Sequence, residues 1–131
     1  MQKTLSPVLK AKALDNRLPD PILGDVLAEE VMRRLDPDYD KGRFAASQIG
    51  LGAVVRAKVF DDWAREFLAD HPDAVVMHLG CGLDGRVFRI DPPETVDWYD
   101  LDFPAVIELR EQFLPSRDHY TLIGSSVTDL A

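Results

Sequence analysis

The sequence predicts an α/β protein in which N-terminal helices precede the first half of a doubly wound parallel sheet. Three observations predict this class. Residues 74–79 form a short, nearly continuous apolar run, which is typical of a buried parallel strand. A glycine turn, Gly80-Cys81-Gly82, follows that run directly. Two further strand-like segments, residues 95–102 and 120–124, alternate with helical segments, and this order is typical of doubly wound sheets.

Helical periodicity dominates the roughly 70 residues before the first strand. Residues 7–17 are predicted to form a short helix or an ordered arm, and Asp25 is predicted to cap a helix that ends near Leu35. A longer helix is predicted from about Gly52 to Ala69, and its apolar residues form one stripe. The stripe recurs every four residues, at Val55, Val59, Trp63 and Phe67.

Further expectations concern single residues. Asp61 and Asp62 are predicted at a solvated face, with the alternative that one of them orients Arg56. Both Trp63 and Trp98 are predicted in the core. Asp84 is predicted to cap or support the turn before a short helix, and Pro104 suits the first turn of the next helix. The predicted division is a helical region over residues 1–72 and a sheet region over residues 73–131.

Composition narrows the functional classes. The chain has 131 residues, a net charge of −8 and one cysteine. The acidic balance argues against a nucleic-acid-tracking surface, and one cysteine excludes an intrachain disulfide. No membrane span or signal peptide is predicted, so the expected location is the cytoplasm. The histidines show no metal-ligand spacing, and no metal site is predicted; His78 is expected to pack within the first strand.

The glycine turn is the strongest functional signal. Glycines after a parallel strand allow positive φ and let a nucleotide-like ligand approach the backbone. Asp102 follows Gly80 by 22 positions, near the spacing of about 20 at which an acidic residue reaches a ribose. Gly85 extends the pattern toward that of dinucleotide-binding oxidoreductases, so this alternative stays open.

Four segments together resemble the leucine carboxyl methyltransferases and the related polyketide-type O-methyltransferases. They are the run Lys12–Asn16 with Pro19-Asp20-Pro21, the run Arg56–Asp62, the run Leu79–Arg86, and the run Tyr99–Ile107 with its Asp102-Phe103-Pro104 junction. The resemblance spans about Leu5 to Leu130. It implies a Rossmann-like class I fold, dependence on S-adenosyl-L-methionine (SAM) and methyl transfer to oxygen.

The resemblance also implies the roles of single residues. Lys12 (or Lys10) and Arg56 would hold the methionine carboxylate of SAM, and Asp102 the ribose hydroxyls. Asp129 and Leu130 match the pair that binds adenine in the family. Cys81 is expected to be a small loop residue and not a nucleophile. The predicted cofactor-binding residues are Lys12, Arg56, Gly80, Cys81, Gly82, Asp102, Phe103, Asp129 and Leu130; no catalytic residue is predicted.

The resemblance places the later strands and the acceptor-binding part of the family beyond residue 131. The expected function is therefore that of a cofactor-binding fragment of an O-methyltransferase with weak or no activity of its own. The expected acceptor of the parent is a small molecule or a protein carboxylate. The open sheet edge predicts homo-oligomerisation. Two alternatives remain: an NAD(P)-binding oxidoreductase fragment and a non-catalytic oligomerisation module.

Overall fold

The computed structural model describes residues 5–40 and 48–129. The elements are α1 (Leu5–Asn16), α2 (Val26–Leu35), α3 (Gln48–Asp70), β1 (Val75–Leu79), α4 (Arg86–Ile90), β2 (Asp97–Asp102), α5 (Pro104–Phe113) and β3 (Tyr120–Gly124). This order confirms the predicted α/β class. The chain forms two compact units, with the boundary between Trp63 and Ala64. None of the described helices is both long and apolar enough to cross a membrane.

The first unit is built on the packing of α1 against α2. The connection between them is held by Asp15, whose carboxylate accepts hydrogen bonds from the backbone N–H groups of Ile22, Leu23 and Gly24 at 2.9–3.0 Å. Asp25 caps α2 as predicted, because its side chain accepts from the N–H of Ala28 at 3.0 Å. The apolar core of this pair comprises Leu9, Ala13, Ala28, Val31 and Met32.

Helix α3 forms as predicted, but its apolar stripe is not buried. The helix begins at Gln48, four residues before the predicted start, and ends at Asp70. The stripe is exposed at all four positions, Val55, Val59, Trp63 and Phe67. The buried positions are instead Val54, Ala57, Asp61 and Leu68. Periodicity identified a helix with an apolar face, but it does not state which face meets a partner.

Two single-residue expectations on α3 are therefore wrong. Trp63 is 60% exposed and is not a core residue. Asp61, predicted at a solvated face, is fully buried, whereas its neighbour Asp62 is half-buried and pairs with Lys58 at 2.6 Å.

The second unit is built on a parallel sheet of strand order β1-β2-β3. Val76 aligns with Trp98, and Trp98 aligns with Tyr120. Trp98 is buried as predicted, in a cluster with Leu68, Val87 and Val96. The other face of β1 carries Val75, Met77 and Leu79, which are all exposed.

Helices α4 and α5 of the second unit begin close to the carboxyl ends of the strands. Pro104 lies in the first turn of α5, as predicted. A Cβ added at Gly124 would lie 3.2 Å from the Cα of Pro104, so glycine lets the end of β3 approach the start of α5. The N-cap of α4 is Gly85 and not Asp84, so Asp84 supports the turn without capping the helix.

Candidate cofactor-binding site

The candidate site lies at the carboxyl ends of the three parallel strands. The turn after β1 places Gly80 at φ 66° and Gly82 at φ 52°, a conformation that favours glycine at both positions. The N–H groups of Gly80 and Cys81 donate to the carbonyl of Leu101 at 2.8 and 3.2 Å. These bonds attach the glycine turn to the end of β2.

Asp102 ends β2 and links the glycine turn to α5. Its Oδ2 accepts from the N–H of Gly82 at 2.8 Å, and its Oδ1 accepts from the N–H of Phe103 at 2.7 Å. A carboxylate offers about four lone-pair positions, so acceptor capacity remains on both oxygens. The two backbone bonds orient the carboxylate while leaving it able to receive the hydroxyls of a ribose.

Open space lies beside the turn. A Cβ added at Gly80 would meet no atom within 4 Å, so open space lies where other residues carry a side chain. Phe103, between Asp102 and α5, is 53% exposed. Asp129 is also exposed, and its carboxylate accepts from the hydroxyl of Ser125 at 3.4 Å. The N–H of Ser125 in turn donates to the carbonyl of Asp102 at 2.9 Å.

The structure thus brings six of the predicted residues to one sheet edge: Gly80, Cys81, Gly82, Asp102, Phe103 and Asp129. Lys12 and Arg56 belong to the first unit. Lys12 is buried on α1, with Lys10 half-buried beside it in the sequence, and Arg56 is exposed on α3. Leu130 lies outside the described residues.

A buried polar network lies beneath the glycine turn. At its centre Asp100 is 0% exposed and accepts four hydrogen bonds. The indole N–H of Trp98 and Nδ1 of His78 contact Oδ1 at 2.8 and 3.1 Å, and Nη2 of Arg110 and the hydroxyl of Tyr120 contact Oδ2 at 2.7 and 2.5 Å. A carboxylate with this many donors is fully satisfied inside the fold.

His78 has a polar role that its strand position did not predict. Nη1 of Arg86 lies 3.1 Å from Nε2 of His78, and arginine only donates. Nε2 is therefore the acceptor, which assigns the ring proton to Nδ1 and directs it at Asp100. His78 thus connects Asp100 of β2 to Arg86, the first residue of α4. In the turn just before α4, Asp84 pairs with Arg89 at 2.7 Å.

Charge and burial shift the ionisation of this network. Burial by itself raises the pKa of Asp100, but the hydrogen bond from His78 and the charge of Arg110 outweigh it, and the pKa lies below its ordinary value. Burial by itself lowers the pKa of Arg110, and Tyr120 and Asp100 reverse that shift. Burial raises the pKa of Tyr120, and it raises that of Cys81 to about 12.

Cys81 is accordingly a neutral thiol at physiological pH. Its side chain is buried between the two glycines of the turn. A thiol in this state is a poor nucleophile, which agrees with the prediction that Cys81 is a small loop residue. Among the described residues, no group of three His, Cys, Asp or Glu side chains has the arrangement of a metal site.

The first unit contains a separate cavity of about 380 Å³. Its walls are mainly apolar, and the ion pair between Arg17 and Asp40 also contributes to them. The apolar lining includes Ala11, Leu14, Leu18, Ile22, Leu51 and Val54. The sequence did not predict this cavity, because its wall residues come from two helices, α1 and α3, and from connecting segments that are distant from each other in the sequence.

Comparison with known proteins adds independent evidence. A family model described as leucine carboxyl methyltransferase matches residues 6–121. The tetracenomycin polyketide synthesis O-methyltransferase TcmP of Streptomyces glaucescens is 53% identical over 128 residues, covering 98% of this chain and 47% of that protein. The SAM-dependent methyltransferase dpfgK of Gibberella zeae is 31% identical over 140 residues, covering 98% of this chain and 47% of that protein.

A more distant relative has the same extent. A protein of Mycobacterium sp. (strain JLS) with the name "Putative S-adenosyl-L-methionine-dependent methyltransferase" is 29% identical over 146 residues, covering 91% of this chain and 46% of that protein. The chain thus spans about half the length of the curated relatives it matches.

Proposed function

Because the chain belongs to the leucine carboxyl methyltransferase family, as its sequence resemblance predicts, we propose that it supplies the SAM-binding part of an O-methyltransferase. One observation in the fold carries the proposal: Gly80, Gly82 and Asp102 meet at the carboxyl edge of a parallel sheet, with open space beside Gly80. Ligands of doubly wound folds bind at this edge. The naming of relatives as SAM-dependent methyltransferases supports the choice of cofactor.

Each residue of the edge has a proposed task. The glycine turn receives the methionyl and ribose part of SAM against its backbone, and Asp102 accepts hydrogen bonds from the ribose hydroxyls. Asp129 is proposed to accept a hydrogen bond from the adenine, with Leu130 as a further predicted contact, and Phe103 is proposed to line the site. Lys12 and Arg56 are proposed to pair with the methionine carboxylate, for which the planar guanidinium of arginine is suited.

SAM supplies a methyl group activated on a sulfonium, so transfer to an oxygen of the acceptor requires no nucleophile from the protein. The protein contributes mainly position and orientation. We propose a polyketide-type small molecule or a carboxylate as the acceptor of the whole protein, and the name of TcmP supports the first. A cytoplasmic location is likewise proposed. Weak or absent turnover is expected for these 131 residues by themselves.

Binding of S-adenosylhomocysteine, the product form of the cofactor, tests the proposal. Isothermal titration of the 131-residue chain is expected to show saturable binding, and a thermal-shift assay the matching stabilisation. NAD in the same assays separates this function from that of an oxidoreductase. Stabilisation by NAD and not by S-adenosylhomocysteine contradicts the proposal, and binding of neither favours a non-catalytic module.

A matched pair of variants assigns the site. Asp102→Asn removes the charge that receives the ribose and is expected to weaken S-adenosylhomocysteine binding by about tenfold or more. Asp97→Asn makes the same change at the opposite end of β2, where the carboxylate is exposed and contacts His119 at 3.4 Å. Equal effects of the two variants contradict the placement of the ribose at Asp102.

A further inference from the structure

We infer that Arg110 is a positioning residue that holds the glycine turn in the shape required for the cofactor. No prediction from the sequence singled out Arg110, and the family resemblance assigned it no role. The inference concerns the site of the proposed function and rests on that function for its ligand. The geometry of the turn without ligand carries it independently.

Arg110 contacts the glycine turn directly. Its Nη1 donates to the carbonyl oxygens of Gly82 and Asp84, both at 2.8 Å. Its Nη2 donates to Asp100 and to the hydroxyl of Tyr120, both at 2.7 Å. The side chain is 1% exposed, so these four bonds form away from water. Nε alone has no acceptor among the described residues.

These contacts hold Gly82 from both sides. Its N–H donates to Asp102, and its carbonyl accepts from Arg110. Because peptide units are planar, fixing the N–H and the carbonyl of one residue fixes both peptide planes that flank its Cα. Gly82 is thereby held at φ 52°, although glycine is the residue with the widest conformational freedom.

The consequence is preorganisation of the binding edge. A free glycine turn would lose conformational freedom when the cofactor binds, and this loss would weaken affinity. Arg110 removes part of that loss before binding. Arg110 is itself held by the carboxylate of Asp100 on β2, and Tyr120 of β3 is a further acceptor, so the turn after β1 is linked to both other strands.

Only arginine fits this task. The two Nη groups point at different partners from one rigid plane, whereas a lysine ammonium is a single point with three donors. Lysine at this position retains the charge beside Asp100 but cannot reach the turn carbonyls and the Asp100–Tyr120 pair with the same geometry. Arg110→Lys therefore separates the positioning role from the charge.

Tyr120→Phe is the matched control. It removes the hydroxyl that donates to Asp100 and accepts from Arg110, but it leaves both carbonyl contacts of the turn in place. Each variant is compared with the wild-type chain by urea unfolding, by the dissociation constant for S-adenosylhomocysteine and by amide hydrogen exchange of Gly82. A merely structural Arg110 would change binding only in proportion to stability.

Arg110→Lys is expected to weaken S-adenosylhomocysteine binding by about tenfold or more and to accelerate exchange of the Gly82 amide. Tyr120→Phe is expected to change both by less than about threefold, even where its loss of stability is as large. Equal effects of the two variants on binding, or unchanged Gly82 exchange in Arg110→Lys, overturn the inference.

The role of Arg110 can still be tested if the chain does not bind S-adenosylhomocysteine or if Arg110→Lys does not fold. If the wild-type chain does not bind S-adenosylhomocysteine, the proposed function fails, and the exchange of Gly82 still decides the role of Arg110. If Arg110→Lys does not fold, NMR of the wild-type guanidinium decides. Slowly rotating, resolved Nη protons of Arg110 support the inference, and rapid rotation with free solvent exchange overturns it.

Discussion

Trp98 donates its indole N–H to the carboxylate of Asp100 at 2.8 Å, and both residues are buried on the same face of β2. A single strand thus carries the largest side chain of the apolar core and the charge at the centre of the polar network. Asp102, at the end of β2, lies on the same face. Along this face the strand therefore contributes first to the core, then to the polar network and last to the candidate site. Perturbation of Asp100 is therefore expected to affect stability and site together.

The first prediction concerns acid stability. The pKa of Asp100 is lowered in the folded state, so its contribution to stability is present above the ordinary pKa of about 4 and is lost as the pH falls through the lower folded value. Asp100→Asn leaves Arg110 without its carboxylate and is expected to destabilise the fold at neutral pH by about 3–5 kcal/mol. Below about pH 4 the difference from wild type should shrink.

Urea unfolding from pH 7 to about pH 2.5 measures this difference. Asp97→Asn on the same strand is the control, since its carboxylate is 55% exposed, and it is expected to stay within about 0.5 kcal/mol of wild type. A constant gap between Asp100→Asn and wild type over the acid range would show that the ionisation of Asp100 is not linked to folding.

The second prediction concerns Cys81, the single cysteine of the chain. Burial raises its pKa to about 12, so the native thiol carries about a thousandfold less thiolate at pH 8 than an unfolded one. We expect a disulfide reagent such as DTNB to label the native chain slowly and the urea-unfolded chain rapidly. Thr121→Cys in a Cys81→Ala background places a thiol at an exposed position of β3 and should react at the unfolded rate. Rapid labelling of native Cys81 would contradict the burial of the turn.

Local signals in the sequence predicted much of the fold. β1, β3 and the glycine turn follow from an apolar run, a β-branched and aromatic segment, and two glycines at positive φ, all of which act within a few residues. The face of α3 did not follow, because it depends on which partners the helix meets. Small and polar residues, Ala57 and Asp61, occupy its buried side, and the bulkier Trp63 is exposed.

The polar network beneath the site was not predicted because its members are far apart in the sequence. Asp100 of β2 contacts His78 on the neighbouring strand β1 and Arg110 on helix α5. One signal was present: Arg110 lies three and four residues after Ile107 and Val106, on the buried face of α5 where another apolar residue is expected. A charged residue on a buried face requires a partner, and Asp100 of the preceding strand is that partner.

The third prediction compares two glycines. Gly80→Ala places a Cβ in the open space of the candidate site at φ 66°, which is expected to destabilise the fold by about 1–2 kcal/mol and to weaken S-adenosylhomocysteine binding further than stability alone explains. Gly52→Ala makes the same change inside α3, also with no atom within 4 Å, and should stabilise the helix by about 1 kcal/mol. Urea unfolding and titration measure both variants. Unimpaired binding in Gly80→Ala would place the ligand away from the turn.

The last prediction concerns self-association through β1. This strand lies at an edge of the described sheet, and its outer face exposes Val75, Met77 and Leu79 at 64%, 57% and 55%. Parallel sheets are normally covered on both faces, and an uncovered edge with apolar side chains pairs readily with another chain. We therefore expect the 131-residue chain to form dimers or larger species as its concentration rises.

Sedimentation velocity of Met77→Lys against wild type tests this expectation. A charge on the exposed face of β1 opposes pairing, and at an exposed position it should change stability by no more than about 0.5 kcal/mol. The variant is therefore expected to remain monomeric at concentrations at which the wild-type chain associates. Val127→Lys adds the same charge at a side chain that is 62% exposed but lies after β3, outside the sheet, and should associate as wild type does. If both variants abolish association, net charge governs it and not the face of β1. If neither variant changes association, the chain associates through a surface other than β1. Either result contradicts the prediction.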